Sequence, residues 1–154
     1  MIDTLPHKEE NQCMNTNRKI IALVALSMAG LLFSGYLSAV KFFTMACALN
    51  EPCPRFLGYP ACYFGFGMYI ALTILAVLLI NNAIRRRVGL ASMIAVSFLG
   101  ILFSGSFTLQ ELPKLFSQGL GAYALGLPTC AWGLVFYALI FIIASMSYRQ
   151  TMTE

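Results

Sequence analysis

Leu57-Gly58-Tyr59-Pro60-Ala61-Cys62-Tyr63-Phe64-Gly65-Phe66-Gly67-Met68-Tyr69 decides how the rest of the chain is read. It returns as Leu125-Gly126-Leu127-Pro128-Thr129-Cys130-Ala131-Trp132-Gly133-Leu134-Val135-Phe136-Tyr137. Leu, Gly, Pro, Cys, Gly and Tyr recur at the same spacings, and each copy opens a long apolar run. In both copies proline falls where a first helical residue would lie, with cysteine two places further on. Proline suits that position because its missing N–H would have no intrahelical partner. The repeat predicts two related helix pairs, each setting one cysteine at the mouth of its second helix.

Of the 154 residues, 59% are hydrophobic and 10% charged, against about 25% charged in soluble domains. Four apolar runs account for the excess, at 20–43, 60–80, 88–108 and 128–148, each near the roughly 20 residues that cross a bilayer. The expectation is an all-α integral membrane protein whose four transmembrane helices form a duplicated two-helix hairpin. It divides into a polar tail (1–17), a membrane domain (18–149, as repeats 18–84 and 85–149) and a short tail (150–154). The bilayer is the expected partner. The net charge of +4 orients helices and is no argument for nucleic acid. The first run is longer than a signal-peptide core and no cleavage site follows it, so it reads as a retained helix.

Lys8, Arg18, Lys19, Arg85, Arg86, Arg87 and Arg149 fall on one side of these runs, and Lys41, Arg55 and Lys114 on the other. The excess of basic residues marks the cytoplasmic side. Both termini are therefore expected in the cytoplasm, with the Arg85–Arg87 block as topology anchor. The tail's His7 and Cys13 receive no role.

Gly30, Ser34 and Ser38 share a face of the first helix, and Gly100 and Ser104 repeat the device in the third. Small residues at this spacing let membrane helices approach closely, and Gly65, Gly67 and Gly133 are read the same way. The words Leu32-Phe33-Ser34-Gly35 and Leu102-Phe103-Ser104-Gly105 also match. Copies of two helices each share one orientation, so their axis of relation should run along the membrane normal. The outer loops differ. The first, 44–59, holds Cys47 and Cys53; the second, 109–127, has no cysteine and carries Glu111, Lys114, Gly119 and Gly121. By the repeat, Lys41 corresponds to Glu111, and the two are expected to pair.

Four cysteines, Cys47, Cys53, Cys62 and Cys130, fall at or just inside the outer surface, which is the oxidising face if the membrane is a bacterial inner membrane, the expected setting, or the endoplasmic reticulum. Cys47 and Cys53 are close enough along the chain to reach the α-carbon separation of a disulfide, about 4.4–6.8 Å. Cys62 and Cys130 lie in first helical turns, where unpaired backbone N–H groups and the helix dipole favour a thiolate. Three readings stand side by side. The cysteines form two structural disulfides, or Cys62 and Cys130 are small residues at a helix contact, or the four form a thiol–disulfide relay that works through a mixed disulfide. A metal site is not expected, because no histidine stands near these thiols and Glu51 is the only carboxylate in the loop that holds Cys47 and Cys53.

Four helices, outward cysteines, a paired-cysteine loop after the first helix and the Gly58-Tyr59-Pro60 entry to the second resemble the vitamin K epoxide reductase family. The plan is also similar to that of the bacterial quinone-linked disulfide-forming membrane oxidases. The resemblance implies an oxidoreductase with a quinone cofactor and a soluble thioredoxin-like partner on the outer face. It makes Cys47 and Cys53 the loop pair and Cys130 the first active-site cysteine. The chain departs from the family where Cys130-Ala131-Trp132-Gly133 has glycine in place of the second cysteine of C-x-x-C; Cys62 would take that place from the second helix. Tyr63, Phe66 and Trp132, with Phe64 and Phe136, are the aromatic residues that would wall a flat quinone ring, although interfacial Trp and Tyr need no ligand.

The alternative classes are a partner-binding or assembly protein with structural disulfides and a transporter of neutral solutes. No charged residue interrupts the helix interiors to mark an ion pathway. No Ser–His–Asp set, phosphate loop or paired carboxylate site is present for hydrolytic chemistry.

Overall fold

The structure is a computed structural model that describes residues 6–44, 55–56, 58–118 and 129–152. Its elements are α1 (Pro6–Thr44), β1 (Arg55–Phe56), β2 (Tyr59–Pro60), α2 (Ala61–Ile80), α3 (Arg86–Gln118) and α4 (Thr129–Met152). All four helices are long and apolar enough to span a membrane, over Asn17–Phe43, Ala61–Ile80, Arg86–Gln110 and Thr129–Met152. Twenty residues at about 1.5 Å each reach about 30 Å, the thickness of the hydrocarbon core. The outward side chains, among them Leu32, Ile74, Leu102 and Ile142, are large and apolar. They fit contact with lipid, and the described residues form four helices of a membrane protein.

α1 packs on α2 and α4, and α3 packs on the same two, which leaves α2 and α4 facing each other across the centre. Interior positions follow helical spacing. Tyr69, Leu72, Ala76 and Leu79 face inward from α2; Tyr137, Ile140, Ala144 and Ser147 face inward from α4. From α1 and α3 come Ile20, Leu23 and Ser27, and Leu90, Met93 and Ser97. In lipid these contacts hold the bundle through dispersion rather than through exclusion of water. Two buried hydroxyls are satisfied within their own helices: Ser97 donates to the Met93 carbonyl at 2.7 Å and Ser147 to that of Ile143 at 2.8 Å.

Helix boundaries differ from expectation at three places. α1 begins at Pro6, so much of the expected polar tail is helical; proline opens it and Lys8, Glu9, Glu10 and Gln12 propagate it. α3 runs to Gln118 through Pro113, where a loop from 109 was expected. The Pro113 ring removes one backbone bond, but Leu112, Lys114 and Leu115 around it are good helix formers. Pro60 is the residue before α2 rather than its first, with φ −60° and ψ 133°. There it pairs with Arg55 in a two-residue antiparallel ladder, alongside Phe56 with Tyr59. Gly58 closes that hairpin at φ +87°, and a β-carbon on it would meet nothing within 4 Å. Its glycine therefore answers to backbone conformation and not to space.

The glycines expected to mark close contact are corrected too. A β-carbon on Gly65 or Gly67 would meet nothing within 4 Å, and one on Gly133 only the Ser104 hydroxyl at 3.7 Å. Gly30, Gly89 and Gly100 are the crowded positions, and at Gly30 and Gly100 the neighbour is a tyrosine ring. A β-carbon at Gly30 would fall on the Tyr69 ring, and at Gly100 within 2.5 Å of Tyr137. At the opposite end Lys19 donates to Gln150 at 2.9 Å and Arg87 to the Thr151 carbonyl at 3.1 Å, tying α1 and α3 to the end of α4. The expected pairing of Lys41 with Glu111 involves a side chain outside the described part, and Gly119 and Gly121 lie outside the described residues.

Candidate functional site

Cys62 and Cys130 are each the second residue of their helix, α2 and α4. First-turn N–H groups have no intrahelical acceptor, so both sulfurs sit at the electropositive ends of long helices. Both thiols are half-buried. They line one pocket between the four helices, with an empty volume of about 460 Å³, its open mouth included. Ser34 and Leu37 of α1 and Ser104 and Phe107 of α3 complete its walls, with Thr129 beside Cys130. Ser38 donates to the Cys62 carbonyl at 3.3 Å, which ties α1 to the first turn of α2.

The floor of the pocket is a pair of tyrosines. The Tyr69 and Tyr137 rings stack with centroids 4.3 Å apart and planes 14° from parallel. The Tyr69 hydroxyl donates to the Gly133 carbonyl at 2.9 Å, and the Tyr137 hydroxyl to the Gly65 carbonyl at 3.1 Å. Each ring thus leaves its own helix and reaches the backbone of the other, four residues before the opposite tyrosine. That reciprocity bolts α2 to α4 across the centre. Gly65 and Gly133 line the pocket immediately above the stack, and without side chains they leave the space open and their carbonyls within reach of the hydroxyls.

Substituting Tyr69→Phe tests the bolt. It removes one hydroxyl donor and keeps the ring, so the expected loss is about 0.6–1.7 kcal/mol, the range for hydrogen bonds between membrane helices. Reversible unfolding in bicelles measures it. Unchanged stability in both Tyr69→Phe and Tyr137→Phe would leave the stacking alone as the link.

An aromatic cluster closes one flank. Phe56 of the hairpin packs edge-on to Phe64 at 5.2 Å and to Phe103 at 5.4 Å, and lies 6.4 Å from Phe107. Phe103 and Phe107 line the pocket, so the hairpin is anchored on its wall. On the other flank Phe33, also a lining residue, contacts Phe136 at 6.3 Å.

The residues expected to wall a quinone do not line this pocket. Phe66 covers Gly35 between α1 and α2, Trp132 is 36% exposed on the outside of α4, and Tyr63 is half-buried away from the lining. Phe64 and Phe136 stand behind it. The aromatic lining is instead Phe33, Phe103, Phe107, Tyr69 and Tyr137. The signals for these were already in the repeated words, since Phe33 and Phe103 belong to Leu-Phe-Ser-Gly and both tyrosines end the organising motif. Cys47 and Cys53 lie outside the described residues. Among the described residues no three His, Cys, Asp or Glu side chains gather closely enough to hold a metal ion. What the pocket offers is two thiols, hydroxyls and apolar walls, suited to sulfur chemistry or to a small, largely apolar ligand.

No protein-family model, curated protein or solved structure matches this chain.

Proposed function

We propose that this is a membrane thiol–disulfide redox protein whose central pair is Cys62 and Cys130. The observation that carries the reading is that two thiols, each in the first turn of a separate helix, open into one pocket. The protein is built in this reading from a duplicated two-helix hairpin with parallel copies; the reciprocal Tyr69 and Tyr137 bonds and the crowding at both Gly30 and Gly100 support it. The pocket faces outward and both termini face the cytoplasm, following the excess of Lys and Arg at the opposite end, with a bacterial inner membrane as the setting.

Cys47 and Cys53 act as the loop pair. Cys53 is three residues from Phe56, so the chain holds their α-carbons within about 11 Å of each other, and Phe56 is packed against the pocket wall. A thiolate of the reduced loop pair attacks a Cys62–Cys130 disulfide and forms a mixed disulfide; the second loop thiol resolves it. The products are a Cys47–Cys53 disulfide and two thiols at Cys62 and Cys130. Reoxidising those thiols releases two electrons and two protons, for which a quinone is the acceptor class, becoming a quinol. The loop disulfide in turn oxidises a dithiol of a soluble thioredoxin-like partner.

The test is the redox state of each cysteine in intact membranes, read by alkylation across a series of glutathione potentials. Exchange of both pairs at potentials of about −120 to −270 mV, the span of catalytic dithiols, is the expected result. Pairs locked below about −300 mV, or Cys62 and Cys130 that stay thiols throughout, would make this a structural or partner-binding membrane protein instead.

A further inference from the structure

The end of the bundle away from the thiols holds a second cavity, with an empty volume of about 580 Å³ including its mouth. It lies between the start of the α1 span, the end of α2 and the start of α3. Its lining combines two chemistries: Ile20, Ile21, Leu79 and Ile80 are apolar, and Asn17, Asn82 and Arg86 are polar. The three consecutive arginines here differ in what they do. Arg87 is engaged with the Thr151 carbonyl, and Arg85 is exposed away from the lining. Arg86 alone is half-buried and faces the cavity. Asn82 bends the chain there with φ +52°.

No acidic residue lines the cavity or stands in the first turn of α3. Among the described residues an arginine drawn partly out of water beside a helix start has no carboxylate beside it, and both features favour an anionic ligand. Ile21 and Ile80 are 57% and 44% exposed, so the apolar half opens toward the lipid-facing surface. The geometry points to a binding site for an anionic glycerophospholipid, its phosphate held by Arg86 with Asn17 and Asn82, and one acyl chain lying along Ile21 and Ile80. A soluble phosphate would leave the apolar half unused. The site is independent of the thiol pocket at the other end, so either reading can fail without the other.

Native mass spectrometry of the full chain from nanodiscs tests this, with phosphatidylglycerol set against phosphatidylcholine of the same acyl chains. Retention of phosphatidylglycerol should exceed that of phosphatidylcholine, and Arg86→Gln should lower the preference about fivefold, the worth of one arginine near an anionic lipid surface. Arg85→Gln should leave it in place and Arg86→Lys should keep part of it. Equal losses in Arg85→Gln and Arg86→Gln would mean a diffuse basic surface and overturn the site. Displacement of the lipid by inorganic phosphate alone would overturn the lipid assignment. If Arg86→Gln folds poorly, Ile21→Trp keeps the arginine and narrows the cavity; retention unchanged in that variant would overturn the proposal.

Discussion

Gly100→Ala is expected to destabilise the bundle by roughly 3 kcal/mol, the upper part of the range for overpacking a close-packed interior. The added β-carbon would lie 2.5 Å from two Tyr137 ring atoms, a distance at which one of them must move. Tyr137 is poorly placed to give way. It is fully buried, stacked on Tyr69 and bonded through its hydroxyl to the Gly65 carbonyl. Displacing the ring therefore weakens the stack and the link between α2 and α4 together. Gly30→Ala should behave similarly against Tyr69, whereas Gly65→Ala meets open space and should change stability by less than about 1 kcal/mol. Unfolding in bicelles compares the three. Equal effects of Gly100→Ala and Gly65→Ala would mean that helix propensity, not ring contact, sets the cost.

Cys130→Ser is expected to abolish thiol oxidation, by at least about a hundredfold, while leaving insertion and stability nearly unchanged. Serine matches cysteine in shape at a half-buried helix start and tolerates unpaired N–H groups well. Its oxygen forms neither a disulfide nor the mixed disulfide on which exchange depends. Cys62→Ser should cost as much, because a disulfide needs both sulfurs. Rates of substrate dithiol oxidation in membranes check both variants, with alkylation topology as the folding control. An unchanged rate in Cys130→Ser removes the residue from the chemistry. A dead Cys130→Ser beside an active Cys62→Ser would show that Cys130 exchanges directly with a loop cysteine.

The contrast between these variants follows from how the site is made. Gly30 and Gly100 were legible as small residues on packing faces, because i, i+4 spacing is a property of one helix. Their partners were not legible, since a ring arrives from another helix at a depth and rotation that no local pattern encodes. Gly65 and Gly133 show the converse. As glycines in apolar helices they resemble contact points, yet they border a pocket.

Transmembrane length and the placing of Cys62 and Cys130 in first turns are determined by the sequence alone. Hydrocarbon thickness sets how many apolar residues a span needs, and the Gly-x-Pro-x-Cys word marks a helix start; both are local. The inward faces of α2 and α4 were decided only by tertiary structure. These helices are apolar on every side, so no amphipathic stripe says which residues turn to the centre. Packing selected Tyr69 and Tyr137, whose hydroxyls find carbonyls across the bundle, and left Trp132 at the periphery. The pocket exists because four helices meet above that stack, and no single helix carries its shape.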